Sequence, residues 1–79
     1  MYFVYLLKLK NDKVYTGSTP NVKERLKEHE NGQCESTKNL RPLKLIWFCC
    51  FPTRLQARKF ENYLKTGSGQ AFRNKHLYN

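Results

Sequence analysis

The sequence opens on Tyr2–Leu9, YFVYLLKL, a run in which both alternating sets of side chains are mostly apolar. A strand that buries only one face alternates apolar and polar residues, whereas a strand covered on both faces reads as a nearly continuous apolar run. This stretch therefore predicts a strand at the centre of a sheet, with other elements packed against both of its faces.

A hairpin is expected directly after this strand. Asn11-Asp12 is a turn signal, and residues 13–17, KVYTG, predict the returning strand. A two-residue turn would put Tyr5 and Tyr15 on opposite faces, because side chains alternate along a strand. An odd-length loop or a bulge would bring both onto one face. If the two tyrosines share a site, the sequence predicts an odd loop or a bulge.

A first helix is expected after the hairpin and should end at about Glu30, before Asn31-Gly32. It begins either at Asn21, which has Glu24 at capping-box spacing, or at Thr19 with Pro20 in the first helical position. The apolar stripe of this helix is thin, and two polar residues lie beside it on a helical wheel. We expect both of them, Arg25 and His29, to be half-buried at its edge.

The second half of the chain predicts a polar loop over residues 31–42, a third strand over about 43–51, and two helices. Thr53 with Gln56 gives a second capping-box spacing, and the helix from residue 54 to about 66 should end at Gly67. It is expected to bury Ala57, Phe60 and Leu64. A short last helix in the basic tail should dock through Ala71, Phe72 and Leu77.

This order of elements predicts one α/β domain over residues 1–79, a small, mainly antiparallel three-stranded sheet flanked by helices. Fifteen Lys and Arg against six Asp and Glu give a net charge of +9, which favours a polyanionic partner such as a nucleic acid. The apolar run Leu45–Phe51 is too short to span a bilayer, so we expect a cytoplasmic protein without membrane contact. Three cysteines, two of them adjacent, offer no zinc-site spacing and are expected to be buried or idle thiols.

Five polar residues, spread over four predicted elements, carry the functional signal. A guanidinium can balance charge in a phosphodiester transition state, a carboxylate can hold a divalent metal, and a phenol or imidazole can move a proton. Each has a structural alternative, since strand tyrosines usually pack, and a carboxylate flanked by Arg58 and Lys65 forms a surface ion-pair ladder. The five residues are Tyr5, Tyr15, Arg25, His29 and Glu61.

These residues, in this order, resemble the GIY-YIG nuclease family. The resemblance rests on the stretches FVY at 3–5, YTGST at 15–19, RLKEH at 25–29 and FENYLK at 60–65. The chain is most similar to compact single-domain members related to the N-terminal nuclease of the bacterial excision-repair protein. Phe3 replaces the glycine of the first family triplet and Thr16 the isoleucine of the second, and neither change removes a catalytic atom.

The resemblance implies metal-dependent hydrolysis of DNA, with one Mg²⁺ or Mn²⁺ ion held chiefly by Glu61. Arg25 would stabilise phosphate charge, and Tyr15 would activate water, with His29 relaying the proton and Tyr5 orienting the water or phosphate. The reverse assignment of the two tyrosines stays open.

The same resemblance places three further residues at the nucleic acid: Gly17, Lys65 and Asn74. Asn74 is the best match to a late family asparagine, thirteen residues after the glutamate. We expect low sequence specificity or structure-specific cleavage, with a partner protein as a possible source of specificity and DNA repair among the possible roles. The alternatives are a nucleic-acid-binding module that has lost efficient cleavage and, less favoured, a protein-interaction domain.

Overall fold

The computed structural model describes residues 1–78 and contains one three-stranded sheet. The strands are β1 (Tyr2–Lys8), β2 (Val14–Thr19) and β3 (Lys44–Phe51), in the spatial order β2-β1-β3. Both strand pairs are antiparallel. The predicted fold class and the central position of the first strand are therefore confirmed.

Four helical segments accompany the sheet, and helices pack against both of its faces. They are α1 (Val22–Glu30), the short 3-10 segment η1 (Lys38–Leu40), α2 (Arg54–Leu64) and α3 (Gly67–His76). One face of β1 packs against α2, and the other packs against α1 and η1. This double cover explains why β1 carries apolar residues at successive positions.

The hairpin has the odd-length loop that the two tyrosines require. Lys8 pairs with Val14, which leaves the five residues 9–13 in the loop. In this register Tyr5 lies opposite Gly17 and Leu7 lies opposite Tyr15. Because side chains alternate along each strand, Tyr5 and Tyr15 project from the same face, and their ring centroids are 6.4 Å apart.

Side chains cap the helices at the predicted residues. Asn21 begins α1 by accepting a hydrogen bond from the Glu24 N–H at 3.1 Å, and Thr53 accepts one from the Gln56 N–H at 3.2 Å. The Asn21 N–H itself is bound by the Thr19 hydroxyl. Both proposed starting residues thus contribute to the start of α1, with Asn21 as the N-cap.

The prediction that Gly67 ends the second helix is wrong. The helix α2 ends at Leu64, its C-cap Lys65 has a right-handed backbone, and Gly67 is the first residue of α3. Thr66 caps α3 by accepting from the Gly69 N–H, so the chain passes between the helices without a left-handed residue. The glycine that this junction needs is Gly69, where a Cβ would overlap the Tyr63 carbonyl.

The predicted buried positions of the last two helices are only partly correct. Ala57 and Leu64 are fully buried and Phe60 packs beside them. Leu77, the C-cap of α3, packs on the same cluster, but Ala71 and Phe72 within α3 are exposed. Because Gly69 is the residue of α3 that approaches α2 closely, the helix turns the side chains of 71 and 72 toward solvent.

Candidate active site

A cleft of about 350 Å³ wraps around the edge strand β2. Strand β2 contributes Gly17 and Ser18, while α1 on one face contributes Arg25 and α2 on the other contributes Glu61. Two faces of the sheet thus deliver side chains to one opening. The full lining is Tyr5, Tyr15, Gly17, Ser18, Arg25, Arg58, Glu61, Asn62 and Lys65.

The imidazole of His29 lies beneath this cleft in a buried chain of hydrogen bonds. Its Nε2 is 2.9 Å from the Tyr5 hydroxyl, and its Nδ1 is 2.8 Å from the Thr37 hydroxyl. The ring also packs edge-on against Tyr15, with centroids 5.2 Å apart. His29 and Thr37 are both fully buried. The expectation of a half-buried His29 is therefore wrong, and the loop over 31–42 is what covers it.

Burial sets the protonation states of Tyr5 and His29 in this hydrogen-bonded chain. It raises the pKa of Tyr5 to about 12, while the nearby Arg25 acts in the opposite direction. Burial also lowers the pKa of His29 from its ordinary 6.5, and the positive charge of Arg25 lowers it further. At neutral pH the pair is thus a protonated phenol and a neutral imidazole, and a neutral imidazole has one nitrogen free to accept.

Arg25 lies beside the Tyr5 phenol at the mouth of the cleft and is half-buried, as the sequence predicted. Its Nη1 donates to Glu28 Oε1 at 2.8 Å. The hydrogen bonds to Glu28 and Tyr5 raise its pKa, so the guanidinium stays charged. A guanidinium has five N–H donors, which leaves others able to bind a phosphate oxygen.

Glu61 reaches the cleft from α2, and both of its carboxylate oxygens are bound. Ser18 donates to Oε1 at 2.6 Å and Lys65 donates to Oε2 at 2.8 Å. Burial alone would raise the pKa of Glu61, but these two donors and the charge of Arg58 outweigh it and lower the pKa. The carboxylate is ionised at neutral pH. Of the ion-pair ladder that the sequence gives as the structural alternative, the pair with Lys65 is present, whereas among residues 1–78 no ion pair joins Glu61 to Arg58.

Glu61 fits a divalent metal site of the kind that uses few protein ligands. Among residues 1–78, no group of three or more His, Cys, Asp or Glu side chains could hold a metal ion. Mg²⁺ retains several waters and can be bound by one carboxylate together with substrate phosphate. The three cysteines are free thiols, of which Cys34 is buried, Cys49 is half-buried and Cys50 is exposed.

Gly17 has a steric role in the cleft. It lies opposite Tyr5 in the sheet, and a Cβ at this position would overlap the Tyr5 ring and hydroxyl. Only hydrogen at this position lets the phenol lie across the edge strand toward His29. Glycine is thus needed for close approach, and its φ is not in the left-handed region.

Asn74 lies away from the cleft, on the exposed side of α3, where it accepts a hydrogen bond from the Tyr78 hydroxyl. Its neighbour Arg73 turns inward instead and donates to the buried Thr16 hydroxyl at 3.2 Å. The Arg73 Nε is buried without a hydrogen-bond partner among the described residues. The structure therefore gives no support to a nucleic-acid contact by Asn74 from within the cleft.

Three site residues were missed from sequence. The sequence places Thr37 in a polar loop, where a contact to backbone phosphate is the most it offers. It gives Ser18 and Asn62 only as parts of the quoted motifs, although both line the cleft. A threonine in a polar loop carries no local signal of burial. Ser18, in contrast, could have been found from alternation, because it pairs with Val4 and shares the face that packs on α2.

The sequence model of the GIY-YIG catalytic domain matches residues 1–76. The chain belongs to the GIY-YIG family. That family is one of nucleases, and the resemblance predicted from the motifs is confirmed.

Relatives and a solved structure agree with this membership. UPF0213 protein CPE1444 of Clostridium perfringens is 39% identical over 66 residues, covering 82% of this chain and 71% of the relative. UPF0213 protein lwe0147 of Listeria welshimeri is 42% identical over 65 residues, covering 81% and 72%. The solution NMR structure of UPF0213 protein BH0048 from Bacillus halodurans has a TM-score of 0.56 and 29% identity, covering 91% of this chain and 81% of that one.

No helix among residues 1–78 is both long enough and apolar enough to cross a membrane.

Proposed function

We propose that this GIY-YIG protein is a divalent-metal-dependent endonuclease that hydrolyses phosphodiester bonds of DNA. The observation that carries the proposal is the convergence of Tyr5, Arg25 and Glu61 on one cleft, from three elements on two faces of the sheet. Family membership and the net charge of +9 support a DNA substrate.

Arg25 is the group that binds the phosphate undergoing hydrolysis. It is charged at all relevant pH, lies beside the Tyr5 phenol and lines the cleft with two other cations, Arg58 and Lys65. As negative charge develops on the phosphate oxygens, a preoriented guanidinium stabilises the transition state more than the ground state. Bound at Glu61, Mg²⁺ or Mn²⁺ would supply further charge neutralisation at the same phosphate.

Tyr5, rather than Tyr15, is favoured as the tyrosine that takes the proton from the attacking water. A phenol with a pKa of about 12 is too weakly ionised at neutral pH to act as a free phenolate. Its hydrogen bond to His29 offers another route, because Tyr5 can accept a proton from water while passing its own to Nε2. For this relay the imidazole proton stays on Nδ1, which donates a hydrogen bond to the Thr37 hydroxyl. Tyr15 packs against the ring and helps to place the water.

The lining of the cleft suits a phosphate backbone better than a base edge. It consists mainly of cations, hydroxyls and one carboxylate, and backbone contacts position DNA without reading its sequence. We therefore expect a structure-specific enzyme or one of low sequence specificity, with a partner protein as a source of specificity. Action in DNA repair and a cytoplasmic location belong to the same proposal.

A binding module without efficient cleavage is the second candidate. The observation that favours it is that both carboxylate oxygens of Glu61 already accept hydrogen bonds, one from Ser18 and one from Lys65. Such a protein would hold DNA through the cations of the cleft without engaging a metal.

The deciding experiment compares wild type with Glu61→Gln and a matched control, Glu30→Gln, which removes the same charge from an exposed position on α1. Labelled single-stranded, duplex and branched DNA would be tested with Mg²⁺, with Mn²⁺ and with chelator. We expect metal-dependent cleavage that is lost in Glu61→Gln, with binding retained, and kept in Glu30→Gln. Salt-sensitive binding with no cleavage by folded wild type would select the binding module.

A second pair of variants tests the assignment of the tyrosines. Tyr5→Phe removes the hydroxyl that joins His29 to the cleft, and we expect cleavage to fall by about 10²–10⁴. Tyr15→Phe keeps the ring against His29 and should have the smaller effect. The reverse order would assign the proton transfer to Tyr15.

A further inference from the structure

The side chain of Glu61 is held by one neutral donor and one cation. Ser18 binds Oε1 at 2.6 Å, and the Lys65 ammonium binds Oε2 at 2.8 Å from one helical turn away. The Glu61 side chain is only 14% exposed, whereas that of Lys65 is 52% exposed. The carboxylate is therefore fixed by its surroundings, and the lysine is the partner that has room to move.

We propose that Lys65 is an internal competitor of the divalent cation for Glu61, and that its release couples metal binding to the binding of DNA phosphate. The inference rests on the proposed function. A carboxylate oxygen accepts more than one hydrogen bond, so Ser18 can stay in place when a metal binds. An ammonium and a metal ion cannot share Oε2 at close range, because the two positive charges repel each other.

The cleft also provides a new partner for the released ammonium. Lys65 lines it together with Arg25 and Arg58, so a DNA phosphate bound there would lie within the reach of a flexible four-carbon side chain. A phosphate that attracts Lys65 away from Glu61 makes room for the metal, and a metal that displaces Lys65 frees a cation for phosphate. By linkage, each ligand then raises the affinity of the protein for the other.

The first test measures Mn²⁺ affinity in the absence of DNA, from the EPR signal of free Mn²⁺. The variants are Lys65→Met, Glu61→Gln and a matched control, Lys59→Met, which removes the same charge from an exposed position of α2 outside the cleft. We expect Lys65→Met to bind Mn²⁺ about two- to fivefold more tightly than Lys59→Met, the range for loss of a partly exposed ion pair. Circular dichroism would verify that each variant is folded.

The outcomes separate this inference from the proposed function. Equal Mn²⁺ affinity of Lys65→Met and Lys59→Met, with binding lost in Glu61→Gln, would overturn the competition and leave the metal site standing. Mn²⁺ binding by Glu61→Gln as tight as that of wild type would remove Glu61 as the metal ligand and with it the proposed function.

The second test measures the coupling. The affinity for a labelled DNA duplex is determined by fluorescence anisotropy with chelator and with Ca²⁺, which shares the preference of Mg²⁺ for oxygen ligands. We expect Ca²⁺ to tighten DNA binding by wild type and by Lys59→Met, and to do so severalfold less in Lys65→Met. An equal gain in all three proteins would overturn the coupling.

Discussion

The face of the sheet that packs on α2 buries Val4 and Leu6 against Ala57 and Leu64, whereas the face under α1 buries a phenol, an imidazole and a hydroxyl among its leucines. Apolar burial is non-directional and tolerates small displacements. The buried hydrogen bonds of Tyr5, His29 and Thr37 need defined distances and lose free energy when one partner is missing. The α2 face therefore mainly stabilises the fold and contributes Glu61 to the cleft, while the α1 face holds the phenol and the imidazole to which we assign proton transfer.

Removing apolar volume from the α2 face should have the largest effect on stability. Leu6 is fully buried there, so Leu6→Ala should lower the free energy of unfolding by about 2–5 kcal/mol through lost burial and a cavity. Urea denaturation measures this change. Leu55→Ala on the exposed side of α2 serves as the control and should change stability by less than about 0.5 kcal/mol. A Leu6→Ala effect below about 1 kcal/mol would show that this face is loosely packed.

Adding one methyl group to the α1 face should have the next largest effect. In Gly17→Ala the new Cβ would overlap the Tyr5 ring, and forced repacking destabilises by about 1–3 kcal/mol. Because the displaced ring is the one bound to His29, cleavage should fall more than stability implies. Gly67→Ala is the matched control, since nothing lies near a Cβ there. Gly17→Ala with wild-type activity would contradict the close approach.

Removing one buried hydroxyl from the α1 face should have an effect on stability in the same range. Thr37→Val keeps the shape of the side chain but leaves His29 Nδ1 without its partner, and an unsatisfied buried group destabilises by about 1–3 kcal/mol. Thr37→Ser, which retains the hydroxyl, should lose less. Denaturation and cleavage assays would be compared in both variants. Equal losses in the two would mean that the hydrogen bond contributes little.

The smallest expected effect is a pH dependence that comes from the α1 face. The pKa of His29 is lowered in the folded protein, so below pH 6.5 the unfolded chain binds more protons. Stability should therefore fall as pH decreases from about 6.5 toward the lowered pKa. The lowered pKa of Glu61 acts separately, because its contribution is lost only below its ordinary value of 4.5.

Urea midpoints of wild type and His29→Gln between pH 5 and 8 test this dependence. The slope should flatten in the variant, because the group responsible for it has been removed. A slope that persists unchanged in His29→Gln would assign the pH dependence to another group.

Much of the fold could be predicted because its signals are local. The apolar run at 2–9 gave β1 its central place, and the threonine and asparagine caps marked the starts of α1 and α2 within one residue. The prediction for Gly67 is wrong because a glycine after a helix can mark the end of that helix or stand in the first turn of the next one. There the Thr66 side chain begins a new helix instead.

Local sequence signals account for the central strand, the capped helices, the positive charge and the set of residue types that identify the family. Which of these residues contact one another depends on how distant segments pack. Tyr5 and His29 are 24 positions apart in the sequence, and Ser18 and Glu61 are 43 apart. In α3 it is Arg73, and not Asn74, that points inward, where it binds Thr16 from 57 positions away. Local patterns indicate which face of an element is apolar. The burial of His29 and the hydrogen bond from Ser18 to Glu61 depend on distant segments that only packing brings together.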